Sequence, residues 1–337
     1  MCYSKLKFLF LFISLLASFL ALAQEKKFLF TQTKMGSPLN IIIVEKDSNN
    51  ATILAQQCFQ LVDSFSHIYS DYDTTSELSM LCNSNSSYPK KVSPALLDIL
   101  LLSKKAFQKS QHCFDISIGR LSLLWRKSRK EHAFPSATMV AEAKNNVGFQ
   151  YLQIDSANKT VSILKPGLRL DLGGIAKGYI AQKIINFLHL KGVHSALVDA
   201  GGDISMSGAP PHSNGWVVGV NVPEQTDELL NTKLSLQNIS VATSGDAYQY
   251  IVHDGKKYAH IIDPRTGYGV SFQRNVTVIA KDGTTADWLA TACSILPIKT
   301  AYAVAKQANA EVFITVLENG KIKPYQTNGF KNYWQKK

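Results

Sequence analysis

The feature that most constrains this 337-residue chain is the segment from Asp171 to Tyr179, which reads Asp-Leu-Gly-Gly-Ile-Ala-Lys-Gly-Tyr. A strand-like stretch precedes it, two glycines allow a sharp turn, and a helical apolar periodicity follows. The first N–H groups of a helix lack intrahelical partners, and glycines let a ligand approach the backbone, so this turn suits a phosphate group. Lys177 would add a full positive charge. The alternative is a tight strand-to-helix connection whose lysine faces water, because short glycine motifs are common.

Helical and strand patterns are mixed along the rest of the chain. Apolar spacing predicts helices at 51–69, 95–109 and 285–296, and turn residues predict β-hairpins across Asp254-Gly255 and Asn319-Gly320. Strands and helices do not alternate regularly, and we find no internal repeat and no linker. The patterns therefore predict an α+β fold with mixed or antiparallel sheets and flanking helices in two interwoven lobes.

Residues 1–23 have the pattern of a secretory signal peptide. Lys5 and Lys7 precede an apolar run from Phe8 to Leu20, and the small-residue sequence Ala21-Leu22-Ala23 follows it. The run is shorter than the roughly 20 residues of a spanning helix, although an uncleaved membrane anchor is the alternative. No cysteine follows the run directly, and no second long apolar segment occurs. We therefore expect an exported protein, residues 24–337 as one domain, with no lipid anchor and no stable membrane insertion.

Composition narrows the classes of ligand. A hydrophobic content of 45% allows a large core, and a formal net charge of +11 favours anionic ligands. Basic residues such as Arg126 and Arg129 are spread over what look like solvated helix faces, without interleaved aromatic residues, so we expect no nucleic-acid binding. The cysteines beyond the signal match no zinc-binding spacing and are expected to be buried free thiols.

Asp287 and Thr291 are candidate metal ligands. They lie four residues apart on a predicted helix, so their side chains share one face. Their hard oxygen atoms suit Mg²⁺ or Ca²⁺ and do not suit zinc. The alternative is that Asp287 simply occupies a favourable place in the first turn of a helix and that Thr291 is buried.

His260 is a candidate catalytic residue. It ends a predicted hairpin strand and enters the turn Asp263-Pro-Arg-Thr-Gly267. An imidazole can take or give a proton near neutral pH, but a hydrogen-bonded strand histidine is an equal alternative. Two other polar turns, Thr243-Ser244-Gly245-Asp246 and Gly201-Gly202-Asp203, could donate N–H groups to phosphate, although the same residues are common turn formers.

Eight motifs occur in order between residues 30 and 330. They are Lys34 to Ser37, Tyr72 with Ser76 to Ser79, Phe114 to Ile116, Asp171 to Gly178, Asp199 to Asp203, Thr243 to Asp246, His260 to Gly267, and Ala286 to Thr291. In this order the motifs resemble those of the ApbE family of FAD:protein FMN transferases.

The resemblance implies an ApbE-like fold and an enzyme of the periplasm. Such an enzyme binds FAD with Mg²⁺, or with Ca²⁺ or Mn²⁺ in its place, and transfers FMN to a threonine or serine of a target flavoprotein, releasing AMP. The target is expected to belong to a membrane-associated redox complex. The implied residues are His260 for catalysis; Gly174 (by its carbonyl), Asp287 and Thr291 for the metal; and, for FAD, Met35, Tyr72, Cys113, Phe114, Asp115, Asp171, Lys177, Ser244 and Ile262.

Two positions depart from the family pattern. Cys113 stands where a small residue is expected, and Ala290 stands where some relatives carry a second acidic residue near the metal. The first change alters packing around the flavin, and the second leaves fewer charged ligands. Two other functions stay open at this point: an FAD pyrophosphatase that yields FMN and AMP, and a non-catalytic protein that stores or delivers FAD.

Overall fold

The computed structural model describes residues 24–84, 87–220, 232–245 and 249–335. The predicted signal peptide and Asp246 lie outside these residues. The described helices are α1 (Ser48–Tyr69), α2 (Glu77–Asn83), α3 (Pro94–Lys109), α4 (Gly119–Glu131), α5 (Ala137–Asn145), α6 (Ala176–Leu190), α7 (Gly283–Ile295) and α8 (Ile298–Gln307), with 3₁₀ turns at Phe149–Tyr151 and Phe330–Tyr333.

The strands are mostly short, and fifteen of them are described. They are β1 (Lys26–Lys34), β2 (Ser37–Glu45), β3 (Lys90–Lys91), β4 (Leu152–Asp155), β5 (Thr160–Ile163), β6 (Ala196–Asp199), β7 (Asp203–Ser207), β8 (Trp216–Val218), β9 (Leu234–Leu236), β10 (Ser240–Gly245), β11 (Tyr250–His253), β12 (Lys256–Ala259), β13 (Arg274–Ala280), β14 (Glu311–Glu318) and β15 (Lys321–Gln326).

One eight-stranded sheet organises the molecule. Its order is β1-β2-β6-β7-β10-β13-β14-β15, and every neighbouring pair is antiparallel. Successive side chains of a strand point to opposite faces of the sheet, and each face has its own core. On β13, Val276 and Val278 face the main core with helices α6 and α7, whereas Ile279 faces a second core with Trp216 and Phe330. The small sheets β3-β5-β4, β8-β9 and β11-β12 flank this body. The α+β prediction is confirmed.

Local capping explains where several helices begin. The Ser93 hydroxyl accepts the N–H of Leu96, with Pro94 in the first helical turn, and the carboxylate of Asp282 accepts the N–H of Thr285 at 2.8 Å. Such side-chain caps satisfy backbone donors that the helix itself leaves unpaired. The predicted helices at 95–109 and 285–296 therefore correspond to α3 and α7.

Helices α6 and α7 cross in backbone contact, and this crossing positions the site. A Cβ atom built on Gly178 would collide with the carbonyl of Gly283, and one built on Gly283 would collide with the carbonyl of Gly178. Only glycines allow this approach at both positions. The first turns of the two helices consequently lie side by side.

The cysteine prediction is also confirmed. Each cysteine in the described part of the chain, at 58, 82, 113 and 293, is buried and has a free thiol. Within the same residues, no helix combines the length and apolar character needed to cross a membrane.

Candidate functional site

The predicted metal ligands meet at the α6–α7 crossing. Asp287 is buried, and its Oδ2 accepts the N–H of Gly178 at 2.9 Å. A Cβ atom on Gly174 would lie 2.9 Å from Thr291 Oγ1, so the backbone of Gly174 runs directly beside that hydroxyl. A carboxylate, a hydroxyl and a backbone carbonyl are the hard oxygen donors that Mg²⁺ and Ca²⁺ prefer. The residues present therefore fit a divalent cation of this kind.

The start of α6 differs from the sequence-based prediction of free amides. Ile175 and Ala176 donate their N–H groups to the carbonyl of Leu172, at 3.0 and 2.9 Å, while Gly178 donates to Asp287. Most amides of the first turn are therefore engaged within the protein. The side chain of Asp287 takes the place of an N-cap for α6, because the residue at that position, Ile175, supplies no side-chain hydrogen bond.

Burial raises the pKa of Asp287, and the Gly178 N–H and the Lys177 ammonium act in the opposite direction. Asp203, at the start of β7, shares this environment: burial and the carboxylate of Asp287 raise its pKa, while Lys177 lowers it. Asp203 keeps some contact with solvent but is surrounded by protein. Desolvated neighbouring carboxylates repel one another, so a bound cation would relieve this repulsion.

Lys177 connects the metal-ligand region with the turns at one end of the sheet. Its Nζ lies 3.3 Å from the position that a Cβ on Gly201 would occupy, and Ser37 Oγ lies 2.7 Å from the same position. The Oγ atom of Ser37 is buried and has no hydrogen-bond partner among the described residues. The β1–β2 turn, the β6–β7 turn and helix α6 therefore meet around one ammonium group.

His260 follows β12 directly, as predicted, and its N–H donates to the carbonyl of Gln249 at 2.8 Å. His260 is exposed to solvent, but protein atoms surround most of its imidazole, so the ring is largely desolvated. This desolvation, with the positive charges of Arg129 and Lys177, lowers the pKa of His260 from 6.5 to about 4. The lowered pKa leaves the imidazole neutral at pH 7, where it can accept a proton.

Lys177 interacts electrostatically with the predicted metal ligand Asp287 and with His260. The same ammonium group lowers the pKa of Asp287 and of His260. Asp171 also acts on His260, raising its pKa by a smaller amount. The predicted metal ligand Asp287, the lysine and the histidine therefore share one electrostatic environment.

Arg126 organises a second part of the site, which the sequence analysis missed. Its guanidinium donates to Asp71 Oδ2 at 2.5 Å and to Asp171 Oδ2 at 3.0 Å, and it lies 4.1 Å from the centre of the Tyr72 ring. The Tyr72 ring is 76% exposed despite this stacking. The expectation that Arg126 and Arg129 lie on a solvated helix face was therefore wrong, because both point from α4 toward the site.

The predicted flavin-lining residues on the 113–115 segment are buried. The ring of Phe114 lies 3.2 Å from the position of a Cβ on Gly174, next to the metal ligands. Asp115 Oδ1 accepts the N–H of Ser117 at 2.8 Å, and burial raises the pKa of Asp115. Cys113 is buried close to the charges of Asp263 and Arg265. Phe114 thus lies beside the predicted metal ligands, while Cys113 and Asp115 are buried on either side of it.

Three further predicted residues enter from other elements. Met35 occupies the β1–β2 turn with a φ of 51° and packs against the main core. Ser244 lies opposite Val276 on the face of β10 that helices cover. Ile262 is buried in a small cluster with Trp125. The assignment of these three residues to FAD stays a prediction.

The protein is an α+β protein built on an antiparallel sheet, and its candidate site gathers hard oxygen donors, an ammonium group and a neutral imidazole. The ApbE family model matches residues 35–314, and the chain belongs to the ApbE family.

Proteins named FAD:protein FMN transferase are similar over most of their length. The one from Chlamydia muridarum is 30% identical over 301 residues, covering 88% of this chain and 93% of the relative. The one from Klebsiella pneumoniae is 28% identical over 302 residues, covering 89% and 92%.

Solved structures agree with the fold. The flavin transferase ApbE from Vibrio cholerae matches with a TM-score of 0.82 and 26% identity, covering 92% of this chain and 99% of that one. The ApbE protein from Thermotoga maritima also gives a TM-score of 0.82, with 27% identity and coverage of 92% and 100%.

Proposed function

We propose that this enzyme is an FAD:protein FMN transferase that uses Mg²⁺ to move the FMN part of FAD onto a threonine or serine hydroxyl and releases AMP. Family membership supports the transferase activity. The observation that carries the residue-level proposal is the α6–α7 crossing, which gathers Gly174, Asp287 and Thr291 beside Lys177.

Gly174, Asp287 and Thr291 would hold the cation. Asp287 keeps one oxygen on the Gly178 N–H, so its orientation is fixed before any cation arrives. Bound there, Mg²⁺ would neutralise the charge that develops on the diphosphate. Ca²⁺ and Mn²⁺ use the same oxygen ligands and would compete for the site.

Lys177 and His260 would supply the remaining chemistry. The acceptor oxygen attacks the phosphorus on the FMN side, the bond from that phosphorus to the bridging oxygen of AMP breaks, and AMP leaves with the electron pair. His260 takes the hydroxyl proton on a ring nitrogen, since its lowered pKa keeps the imidazole neutral. Lys177 stabilises the negative charge on the diphosphate.

Arg126 and its partners would position the substrate rather than react with it. The guanidinium fixes the carboxylate of Asp171 and the exposed ring of Tyr72, both expected at the FAD site. A flat exposed ring backed by a guanidinium offers a stacking surface for an aromatic ring system.

The signal-peptide pattern of residues 1–23 supports a place in the periplasm, with a flavoprotein of a membrane-associated redox complex as the acceptor. Cell fractionation of the tagged full-length protein tests this location. Recovery of the unprocessed protein from the cytoplasm would contradict it.

The transfer itself is tested with the purified protein, FAD, Mg²⁺ and a threonine-containing acceptor domain. We expect a fluorescent acceptor band on a denaturing gel and an equal amount of AMP. Free FMN without a labelled acceptor would instead identify a pyrophosphatase, and unchanged FAD retained through dialysis would identify a binding protein. The matched variant is His260→Ala, which should retain FAD binding and lose transfer.

A further inference from the structure

Arg129 is a cation whose charge is not balanced by the described residues. It lies on α4, three residues after Arg126, and is half-buried. Burial lowers the pKa of Arg129, and the neighbouring Arg126 guanidinium lowers it further. Only the phenol of Tyr72 acts in the opposite direction, and no carboxylate pairs with Arg129 in the described part of the chain. Because a desolvated charge without a counter-ion is unfavourable, this environment favours an anionic ligand.

Aromatic packing places α4 against the strand that leads to His260. The ring of Trp125 stacks on the ring of Tyr258 with 6.0 Å between their centres, and Trp125 Nε1 donates to the Gly267 carbonyl at 2.9 Å. Tyr258 belongs to β12 and stands two residues before His260. Residues four apart on a helix share a face, so Arg129 lies one turn beyond Trp125 on the face of α4 that meets this strand.

Two cations act on the imidazole of His260 from different helices. Arg129 on α4 and Lys177 on α6 both lower the pKa of His260, and Arg129 has the larger effect. The carboxylate of Asp171 acts in the opposite direction, but it is already bonded to Arg126. The guanidinium of Arg129 and the ammonium of Lys177 therefore both reach the surroundings of the candidate catalytic residue.

The two arginines of α4 have different environments. Arg126 donates to the carboxylates of Asp71 and Asp171 and lies over the ring of Tyr72. An anion that bound Arg126 would have to displace one of these carboxylates. Arg129 has no such bonds among the described residues, so of the two it is the one able to receive a ligand.

We propose that Arg129 binds a phosphate group of FAD, so that its guanidinium and the Lys177 ammonium together hold the diphosphate beside His260. This inference rests on the proposed transferase function. A guanidinium presents N–H donors in a plane that matches two phosphate oxygens, and it is more weakly hydrated than an ammonium group, which suits a partly desolvated site. Tyr72, whose exposed ring is expected to stack on FAD, acts on the same guanidinium. Arg129 is therefore placed to take the phosphate nearest to that ring.

The bound diphosphate would also change the proton affinity of His260. Without a ligand, Arg129 and Lys177 oppose a positive charge on the imidazole. Phosphate charges held between these two cations offset their field, so the imidazole takes up a proton more readily. The substrate itself would thus make the histidine a stronger base before the acceptor hydroxyl arrives.

Arg129→Met tests the binding role, and Lys130→Met is the matched control because Lys130 is the exposed neighbour on α4. We expect Arg129→Met to bind FAD and inorganic pyrophosphate about tenfold more weakly by calorimetry with Mg²⁺, since a hydrogen bond between charged groups is lost. Arg129→Lys keeps the charge without the planar donors and should recover part of the affinity. Lys130→Met should match wild type. Wild-type affinities for both ligands in Arg129→Met would overturn the proposal.

The imidazole resonances of His260 test the same site in the unaltered protein. Saturating pyrophosphate should raise the midpoint of the His260 titration from about 4 toward 6.5, and should raise it less in Arg129→Met. A purely structural role for Arg129 predicts no dependence of this kind on the ligand. An unchanged midpoint in the wild-type protein with pyrophosphate bound would contradict the proposal. This measurement, with the affinities of Arg129→Lys, decides the question even if Arg129→Met does not fold.

The outcomes separate this inference from the proposed function. If the wild-type protein labels an acceptor domain while Arg129→Met binds FAD and pyrophosphate normally, the inference alone fails. If the wild-type protein binds FAD but transfers no FMN, the proposed function fails, and weaker FAD binding in Arg129→Met still supports the phosphate contact. If Arg129→Met raises only KM for the acceptor domain, the guanidinium faces the acceptor protein, which overturns the inference. Wild-type protein that binds neither FAD nor pyrophosphate would overturn both.

Discussion

Removing the charge of Arg126 tests how the site is held together. The guanidinium pairs with Asp71 and Asp171 and stacks on Tyr72. The side chains of Arg126, Asp71 and Asp171 are only 21%, 16% and 11% exposed, so this network is partly desolvated. In Arg126→Met, a side chain of similar length leaves two carboxylates facing each other without a cation.

The expected loss of stability in Arg126→Met follows from how deeply Arg126 and its two carboxylate partners are buried. Breaking a fully buried ion pair costs about 3 to 5 kcal/mol, and an exposed pair contributes about 0 to 1 kcal/mol. For this partly buried network we expect a loss of about 2 kcal/mol in the free energy of unfolding at pH 8. With Tyr72 and Asp171 released, FAD should bind about tenfold more weakly, a change that corresponds to about 1.4 kcal/mol.

The pH dependence gives the sharper test. Burial and Asp171 raise the pKa of Asp71 to about 6, and Arg126 limits this rise. A carboxyl whose pKa is higher in the folded state than in the unfolded state takes up its proton in the folded state first, so stability increases as pH falls through the folded pKa. In Arg126→Met that pKa rises further. The difference from wild type should therefore shrink between pH 8 and pH 5, since Asp71 is protonated in both proteins at the lower pH.

Urea unfolding at pH 8 and pH 5, with FAD titration by fluorescence, measures these quantities. The control is Lys127→Met, on the next residue of α4, where an exposed lysine lies 4.0 Å from Glu131. We expect that variant to change stability by less than about 0.5 kcal/mol at either pH. If Arg126→Met matches Lys127→Met, or if its loss of stability grows toward pH 5, the reasoning is refuted.

Two other predictions follow from the crossing of α6 and α7 and from the histidine. In Gly178→Ala, the new methyl group collides with the Gly283 carbonyl and lies 2.6 Å from Asp287 Cβ. We therefore expect the free energy of unfolding, measured with urea, to fall by about 1 to 3 kcal/mol, and Mg²⁺ to bind more weakly by calorimetry. Wild-type values for both quantities would show that the close helix contact is dispensable. The His260 Cε1–H resonance, assigned by its loss in His260→Gln, should not titrate between pH 8 and pH 5. Below pH 6.5 this histidine is protonated in the unfolded chain but still neutral in the folded protein. Protonation therefore favours the unfolded state, and the free energy of unfolding decreases as pH falls from 6.5 toward 4. A midpoint near 6.5 would contradict the desolvated environment.

The elements that the sequence predicted are those with local signals. Asp254 and Gly255 have φ values of 49° and 70°, the paired left-handed conformations of a two-residue hairpin turn, and the turn occurs where the sequence places it. Ser93-Pro94 fixed the start of α3 in the same way. These signals depend on a few neighbouring residues, so they can be read without knowing what packs against them.

The elements that were missed have weak or non-local signals. Strand β1 lies at the edge of the sheet and buries little, with only Phe28 and Phe30 packing partly against the core, so its mostly polar sequence does not look like a strand. Helix α8 carries Ala301, Val304 and Ala305 at helical spacing, a signal that was present in the sequence and was not used.

The same distinction between local and long-range signals applies to the residues of the candidate site. Donors such as Asp287 and Thr291 could be proposed because one helix carries both at adjacent turns. Arg126 could not, since its partner Asp171 is 45 residues away and a basic helix face looks solvated in a single sequence. The family resemblance supplied the long-range arrangement for the motifs it names, and Arg126 lies outside those motifs.

The start of α6 shows why glycine motifs of this kind are ambiguous. Its amides were expected to face a ligand, but Gly178 donates its N–H to Asp287, so the carboxylate of a neighbouring helix stabilises the helix terminus. The same bond orients the carboxylate, and its other oxygen, which has no hydrogen-bond partner among the described residues, is available to the proposed cation. Gly178 and Gly283 are what permit this, because any side chain at the crossing would force the two helices apart. Gly178 in the motif therefore acts mainly by bringing two helices into contact, and this contact brings Asp287 to α6, among the residues that we propose hold a cation.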